Sequence, residues 1–349
     1  MARRIEAYDL ARTFAIIFVF VAHIVIEQTT STTLRVAFAA VSPGLTMSLL
    51  GFISAALLSA RAEETGAFLA KRFTRIYIPV WLCLSAVLIM QSFLGTSRFN
   101  ADTVVHFMGL SGVYALLSAP NYASVGAGLW FVTVILMMYL LLPLLRRLFG
   151  HRNGLVHLLI VIGLSLAANQ WLHAGGAWNV VIAFCLGTYL GVNGRLEALN
   201  RRSAGWSTVL AASLLVVSAL ATADVIPYWF RGLILPLYPL AFIPVFFFAA
   251  RVLPRPVRAA STFFAALIYE FYILSFYFIN DGFRDLFGPS VRMRLQIPIG
   301  FVVTLVVAYV LFRVGSRVRR VAETYLLGER GHAADGRPTP DPGPEGTSS

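Results

Sequence analysis

Residues 10–27 read LARTFAIIFVFVAHIVIE, where Arg12, His23 and Glu27 interrupt an otherwise hydrocarbon surface. At about 100° per residue, Arg12 and His23 share one helix stripe and stand about 16 Å apart along the axis. Asp9 and Glu27 fall on the same stripe. An arc of about 60° therefore collects four ionisable residues, while Ile, Val and Phe cover most of the remaining surface. This is the pattern of a helix that crosses hydrocarbon and turns its polar stripe towards a protein interior, because charge facing lipid is costly. Asp9 and Arg12 also lie within snorkelling reach of one interface, and His23 and Glu27 within reach of the other.

The rest of the chain agrees with a membrane setting. Of 349 residues, 58% are hydrophobic and 13% charged, which is too apolar for a soluble globule of this size. The sequence predicts an all-α, polytopic membrane protein with ten spans, at 10–28, 36–58, 76–95, 129–148, 155–172, 177–193, 206–223, 232–250, 262–280 and 296–314. The positive-inside rule sets the expected orientation. With the N-terminus inside, Arg35, Arg98, Arg231, Arg284, Arg292 and Arg294 fall outside, leaving 22 of the 28 basic residues inside and both termini cytoplasmic. The net charge of +12 then reads as a topology signal, and no nucleic-acid partner is expected.

Arg3 and Arg4 ahead of an apolar run imitate a secretory signal, but the run is long and carries Arg12 and His23, so a retained first span is expected. The membrane domain is predicted to occupy 1–322, followed by a disordered cytoplasmic tail over 323–349, rich in Pro, Gly and Ser. The longest outer segment, 98–128, contains HFMGLSGVYALLSA, too short to span and expected to lie on the membrane or dip into it as an acceptor-side cover. Cys83 and Cys185 fall inside spans and read as small apolar filler. His106, His151, His157 and His173 have no metal-ligand spacing with acids or cysteines, so no metal is expected.

Three further constellations hold chemistry. In AKRFTRIYIPVW, Lys71, Arg72 and Arg75 crowd the inner end of the third span. Arg72 and Arg75 are three apart and share a face, and paired guanidiniums grip phosphate oxygens through a fork that lysine lacks, though inner helix ends also carry plain anchors. Arg75 is expected to be embedded, and Pro79 to loosen the helix nearby. In GLWFVTVILMMYLLLPLL, Trp130 sits at the outer boundary, where aromatic belts form, and Tyr139 follows on a face the sequence leaves open. In ALIYEFYILSFYFIN, Glu270 is a lone carboxylate, expected either to pair with Arg12 or Arg75 or to bind substrate or protons.

Taken together these segments resemble the acyltransferase-3 family of bacterial integral membrane O-acyltransferases, over roughly residues 4–315. IEAYDLARTFAIIFVFVAH is similar to the family's first-span motif, an Arg or Lys, ten residues and a His, here Arg12 and His23 with Asp9 before them. KRFTRIYIP is similar to its Arg-x-x-Arg motif, here Arg72 and Arg75. LWFVTVILMMYLLLPLL resembles its Trp-Phe and Tyr segment, and YEFYILS a late segment that often ends in His. Ser275 stands at that histidine, and Ile135 and Leu136 stand where some relatives carry a glutamate.

The resemblance implies O-acyl transfer, usually of acetyl, from cytoplasmic acyl-coenzyme A to a hydroxyl of a sugar, surface glycan, lipid-linked glycan or other metabolite. His23 is then the expected general base, with Glu27 one turn on as its helper. Arg12, Arg72 and Arg75 are expected to bind the donor's phosphates, and an extended pantetheine arm can cover the 16 Å to His23. Asp9, Trp130, Tyr139 and Glu270 are expected in a substrate-binding or structural polar network. No tightly bound cofactor is implied, membrane lipids are the expected surroundings, and the expected location is the bacterial cytoplasmic membrane. The competing expectation is a proton-coupled transporter or exporter of a glycan or small molecule that relays protons through His23, Glu27 and Glu270.

Overall fold

A bilayer core offers no water to backbone N–H and C=O groups, so a chain this apolar is driven into helices that satisfy their own hydrogen bonds. The computed structural model describes residues 2–29, 31–41, 44–61, 63–117, 119–126, 128–172, 175–227, 229–277 and 293–327. Every regular element among them is helical. In chain order these are α1 (Ala2–Gln28), α2 (Thr32–Val41), α3 (Gly44–Ser59), α4 (Thr65–Phe93), α5 (Ala101–Phe107), α6 (Ser111–Leu117), α7 (Trp130–Gly150) and α8 (Gly154–Trp171). They continue as α9 (Gly175–Val192), α10 (Leu196–Asn200), α11 (Ala204–Thr222), α12 (Trp229–Ile234), α13 (Tyr238–Val252), α14 (Arg255–Ala266), α15 (Ile268–Tyr277) and α16 (Met293–Leu327). Residues 323–327 of the expected tail are helical, as the end of α16, and the rest of it, beyond residue 327, lies outside the described residues.

Among the described residues, eight spans are long and apolar enough to cross a membrane, and the chain is a multi-pass helical membrane protein. Two of the ten expected spans take another form. The one at 262–280 is a broken pair, α14 and α15, bent by 71° at Leu267. The one at 177–193 has an apolar stretch, Gly176–Val192, shorter than the other spans and set inside the bundle. The third span begins earlier than expected, at Thr65, so Arg72 and Arg75 lie within α4 rather than before it.

The core centres on α3, of which nearly every residue is buried. It packs along α9 because Gly187 and Gly191, four apart, let the two backbones touch: a Cβ on Gly187 would stand 2.5 Å from the Phe52 carbonyl oxygen, and one on Gly191 2.6 Å from that of Ala56. α1 lies beside α3 and is enclosed by α13, α14, α15 and α16. Its Phe14 and Phe20 stack into Phe246 and Phe271, with ring centroids 5.4 and 5.6 Å apart. α8, α11 and α16 stand at the periphery and expose Leu, Ile and Val side chains, as helices facing lipid do.

Segment 98–128 folds back along the bundle as α5 and α6. Its turn at Met108 accepts a hydrogen bond from the Tyr77 hydroxyl (3.0 Å), and the Phe107 carbonyl accepts one from Trp81 Nε1 (2.8 Å). Tyr77 lies 16 residues, or about 24 Å, back from the end of α4 at Phe93, so the segment dips deeply beside α4. Thr133 of α7 fastens its far side, donating to the Gly109 carbonyl and accepting from Gly112 N–H, both at 2.7 Å.

Candidate functional site

Arg12 reaches the site from α1 because the helix runs unbroken past it, and Asp9, one turn earlier, holds the guanidinium at 3.4 Å. Arg72 and Arg75 come from consecutive turns of α4. Pro79 lacks the N–H that would have bonded the Arg75 carbonyl, so the helix is loosened at that level. All three arginines line one cavity of about 460 Å³, together with Asp9 and Tyr139. Tyr139 thus uses the face of α7 that turns towards α4, where its ring meets that of Phe68 edge-on with centroids 6.3 Å apart.

Reading the sequence missed four contributors to this cavity. Arg61 and Arg319 line it and were indistinguishable from topology-setting anchors; Tyr8 and Tyr269 line it and carried no motif. The sequence signal for Tyr269 was its place beside Glu270; in the structure Ala265, Ala266, Ile268 and Tyr269, on both sides of the bend at Leu267, line the cavity wall. Irregular backbone inside a membrane protein is tolerated where it faces protein or a cavity, and the break sits at such a place.

The electrostatics are lopsided. The lining holds five guanidiniums and one carboxylate. Arg12 has Asp9, but among the described residues no ion pair forms at Arg61, Arg72, Arg75 or Arg319. Arg72 lies 5.7 Å over the Phe68 ring, half-buried, and its Nε is sequestered without a hydrogen-bond partner. Unpaired guanidiniums at a shared cavity repel one another and are poorly solvated, so an anion with several oxygens lowers the energy of all of them at once.

Two expectations about charge are corrected here. Arg75 is exposed, while Arg72 is the more deeply set of the pair. Glu270, 2% exposed, pairs with neither Arg12 nor Arg75. It lies on α15, which packs on α4 and α16 as well as on α1. Trp130 is also outside the cavity. It lines an apolar groove of about 550 Å³ between α6, α7, α8 and α9, with Gly176 against its ring.

His23 stands about 16 Å up α1 from Arg12. Its half-buried ring meets Phe276 of α15 edge-on, with centroids 5.7 Å apart, and among the described residues no hydrogen bond engages its nitrogens. Phe276 packs in turn on the loop before α7, where a Cβ on Gly128 would stand 2.6 Å from the ring. Tyr272 bonds the Gly128 carbonyl at 2.6 Å, and the Tyr277 hydroxyl accepts from Gly126 N–H. The side chain of Glu27, the expected helper of His23, lies outside the described residues. The lining of the arginine cavity does not extend to His23.

Between this loop and α5, His106 is buried and doubly bonded, to Ser111 Oγ through Nδ1 and to Asn121 Oδ1 through Nε2, each at 3.0 Å. Asn121 Oδ1 accepts from Ala123 N–H, and its amide nitrogen donates to the Val125 carbonyl, which fixes the amide and makes Nε2 the protonated nitrogen. Burial holds the His106 ring below its ordinary value, while Asp102, bonded by the Tyr114 hydroxyl and Tyr122 N–H, is held below the usual carboxylate range.

No curated protein and no solved structure matches the chain. A family model does, over residues 5–313, a stretch that takes in Arg12, His23, Arg72, Arg75, Tyr139 and Glu270. The arginine-lined cavity and the histidine further along α1 are thus features of a multi-pass membrane protein that belongs to the Acyl_transf_3 family of acyltransferase domains.

Proposed function

We propose that this membrane acyltransferase takes an acyl group, most simply acetyl, from cytoplasmic acyl-coenzyme A and delivers it to a hydroxyl of a sugar, surface glycan, lipid-linked glycan or other metabolite, in the bacterial cytoplasmic membrane. One observation carries the donor reading: Arg72 of α4, its buried Nε without a partner, shares a cavity with Arg75 and with Arg12, which lies on α1 about 16 Å below His23. Coenzyme A is an anion with a diphosphate and a phosphomonoester at one end and a reactive thioester at the end of a long arm. Its phosphates suit the guanidiniums, and the arm has the reach to bring the thioester towards His23.

In this reading a neutral His23 nitrogen takes the proton of the acceptor hydroxyl as its oxygen attacks the thioester carbonyl. The C–S bond breaks, the sulfur leaves with the electron pair and recovers a proton, and the products are an ester and free coenzyme A. Glu27 orients the ring and stabilises the imidazolium. Tyr139 and Asp9 keep the donor arginines in place, and Trp130 borders the acceptor end.

The test is release of coenzyme A from acetyl-coenzyme A by the purified protein in lipid, with envelope glycan as acceptor. Release that vanishes in His23→Ala while coenzyme A binding persists supports the reading. Full release in His23→Ala removes the base, and no coenzyme binding by folded wild type removes the donor. A second reading, a proton-coupled transporter, draws on the broken α14–α15 span and the buried Glu270 at its side. It predicts proton flux on addition of glycan with no thioester cleavage.

A further inference from the structure

Residues 314–327 lie beyond the stretch that the family model matches, yet they continue α16 without a break. At 35 residues α16 is about 52 Å long against a hydrocarbon core of about 30 Å, so its last turns overhang the membrane region. The overhang does not stand free. Gly315, Arg319 and Glu323 are spaced by four and form one stripe, and the ends of that stripe are pinned to α4. A Cβ on Gly315 would stand 3.2 Å from Leu82 Cδ1, and Glu323 Oε1 lies 3.3 Å from Thr74 Oγ1, whose single proton is shared with the nearer Ala70 and Lys71 carbonyls.

Arg319 sits between these two pins. It lines the same cavity as Arg72 and Arg75 and forms no ion pair among the described residues. The buried Glu270 of α15 forms no ion pair with it. Its neighbours Arg317 and Arg320 are exposed and are not part of the lining.

We propose that the stretch of α16 outside the matched domain completes the anion site: Arg319 binds a phosphate of the donor, positioned by the packing of Gly315 on Leu82 and of Glu323 beside Thr74. The proposal rests on the donor reading above and adds to it a specificity residue that the family motifs do not contain. A guanidinium that meets a phosphate directly differs in three ways from one that merely adds to the positive field. Its loss affects binding more than that of an equally charged neighbour, lysine replaces it incompletely, and its loss flattens the salt dependence.

The experiment measures binding of coenzyme A and, separately, of inorganic diphosphate to the full chain in lipid at two salt concentrations. Folding of each variant is checked by thermal unfolding. Arg319→Gln is expected to weaken coenzyme A binding by about 10- to 100-fold and flatten its salt dependence. Arg319→Lys should recover part of the loss, Arg317→Gln should stay within about twofold of wild type, and Glu323→Ala, which removes the acceptor, should raise KM more than it lowers kcat. Equal weakening in Arg317→Gln and Arg319→Gln, or none in Arg319→Gln, overturns the proposal. Diphosphate binding that depends on Arg319 in a protein that ignores coenzyme A keeps the anion site and discards the donor reading.

Discussion

At Arg12, α1 enters a cavity with five guanidiniums and one carboxylate; eleven residues later, at His23, the same helix meets an aromatic ring and a loop held by neutral hydrogen bonds. The first place is organised by charge that the protein leaves unpaired, the second by shape and by backbone groups that the protein satisfies itself. A site of the first kind tolerates small displacements, because Coulomb attraction falls slowly with distance. One of the second kind does not, because proton transfer requires hydrogen-bond reach. Under the proposed function, the contrast predicts that affinity lies at the arginine end and rate at the histidine end.

The sharpest way to break that division is His23→Ala. Turnover should fall by about 10²- to 10⁴-fold with donor affinity unchanged, as measured by coenzyme release and by equilibrium binding on the same preparation. A parallel loss of affinity would mean that the two ends are not separable. Arg72→Gln should do the reverse, weakening donor binding by about 10- to 100-fold while kcat at saturation moves little. A kcat loss as large as the affinity loss would place Arg72 in the chemistry.

Gly128→Ala probes the histidine end from behind. Gly128 has φ of +74°, where an L side chain is strained, and its Cβ would strike Phe276, the ring that faces His23. A roughly tenfold drop in kcat is expected with donor binding intact, since small misplacements at a reacting centre are expensive. Unchanged kcat would show that Phe276 does not position His23.

The smallest effect is expected from pH. His106 has its value lowered by burial, so the folded segment resists protonation while the unfolded segment takes up a proton. Its contribution is therefore complete above about 6.5 and is lost as pH falls below that value. Asp102, held low, acts the same way only at much lower pH. Protection factors over residues 98–128, in which the intrinsic slowing of amide exchange in acid is divided out, should fall below about pH 6.5 and lose this dependence in His106→Gln. Protection that ignores both pH and substitution would remove the histidine from the stability of this segment.

Each of the ten apolar stretches could be read from the sequence because hydrophobic length is a property of consecutive residues, and each lands on helix. The bend at Leu267 could not: ALIYE contains no Gly or Pro, and the break follows from what packs around it. Arg12, Arg72 and Arg75 were readable through spacing along single helices. Arg61 and Arg319 were not, since their place at the cavity is set by how α3 and α16 dock onto α4, and a helix-end arginine looks alike whether it faces a headgroup or a ligand. Trp130 and Glu270 show the converse, conspicuous residues that the folded chain directs away from the arginine cavity.

The Gly187–Gly191 contact with α3 carries a consequence for biogenesis. Phe52 and Ala56 leave the ribosome about 130 residues before the two glycines that must lie against them, so the centre of the bundle stays unfinished through most of synthesis. α9, shorter in apolar length than the other spans, gains its place from that late partner as much as from lipid. A polypeptide divided at residue 152, between α7 and α8, should therefore still assemble from two co-expressed halves, and Gly187→Leu should stop their co-purification while leaving each half inserted.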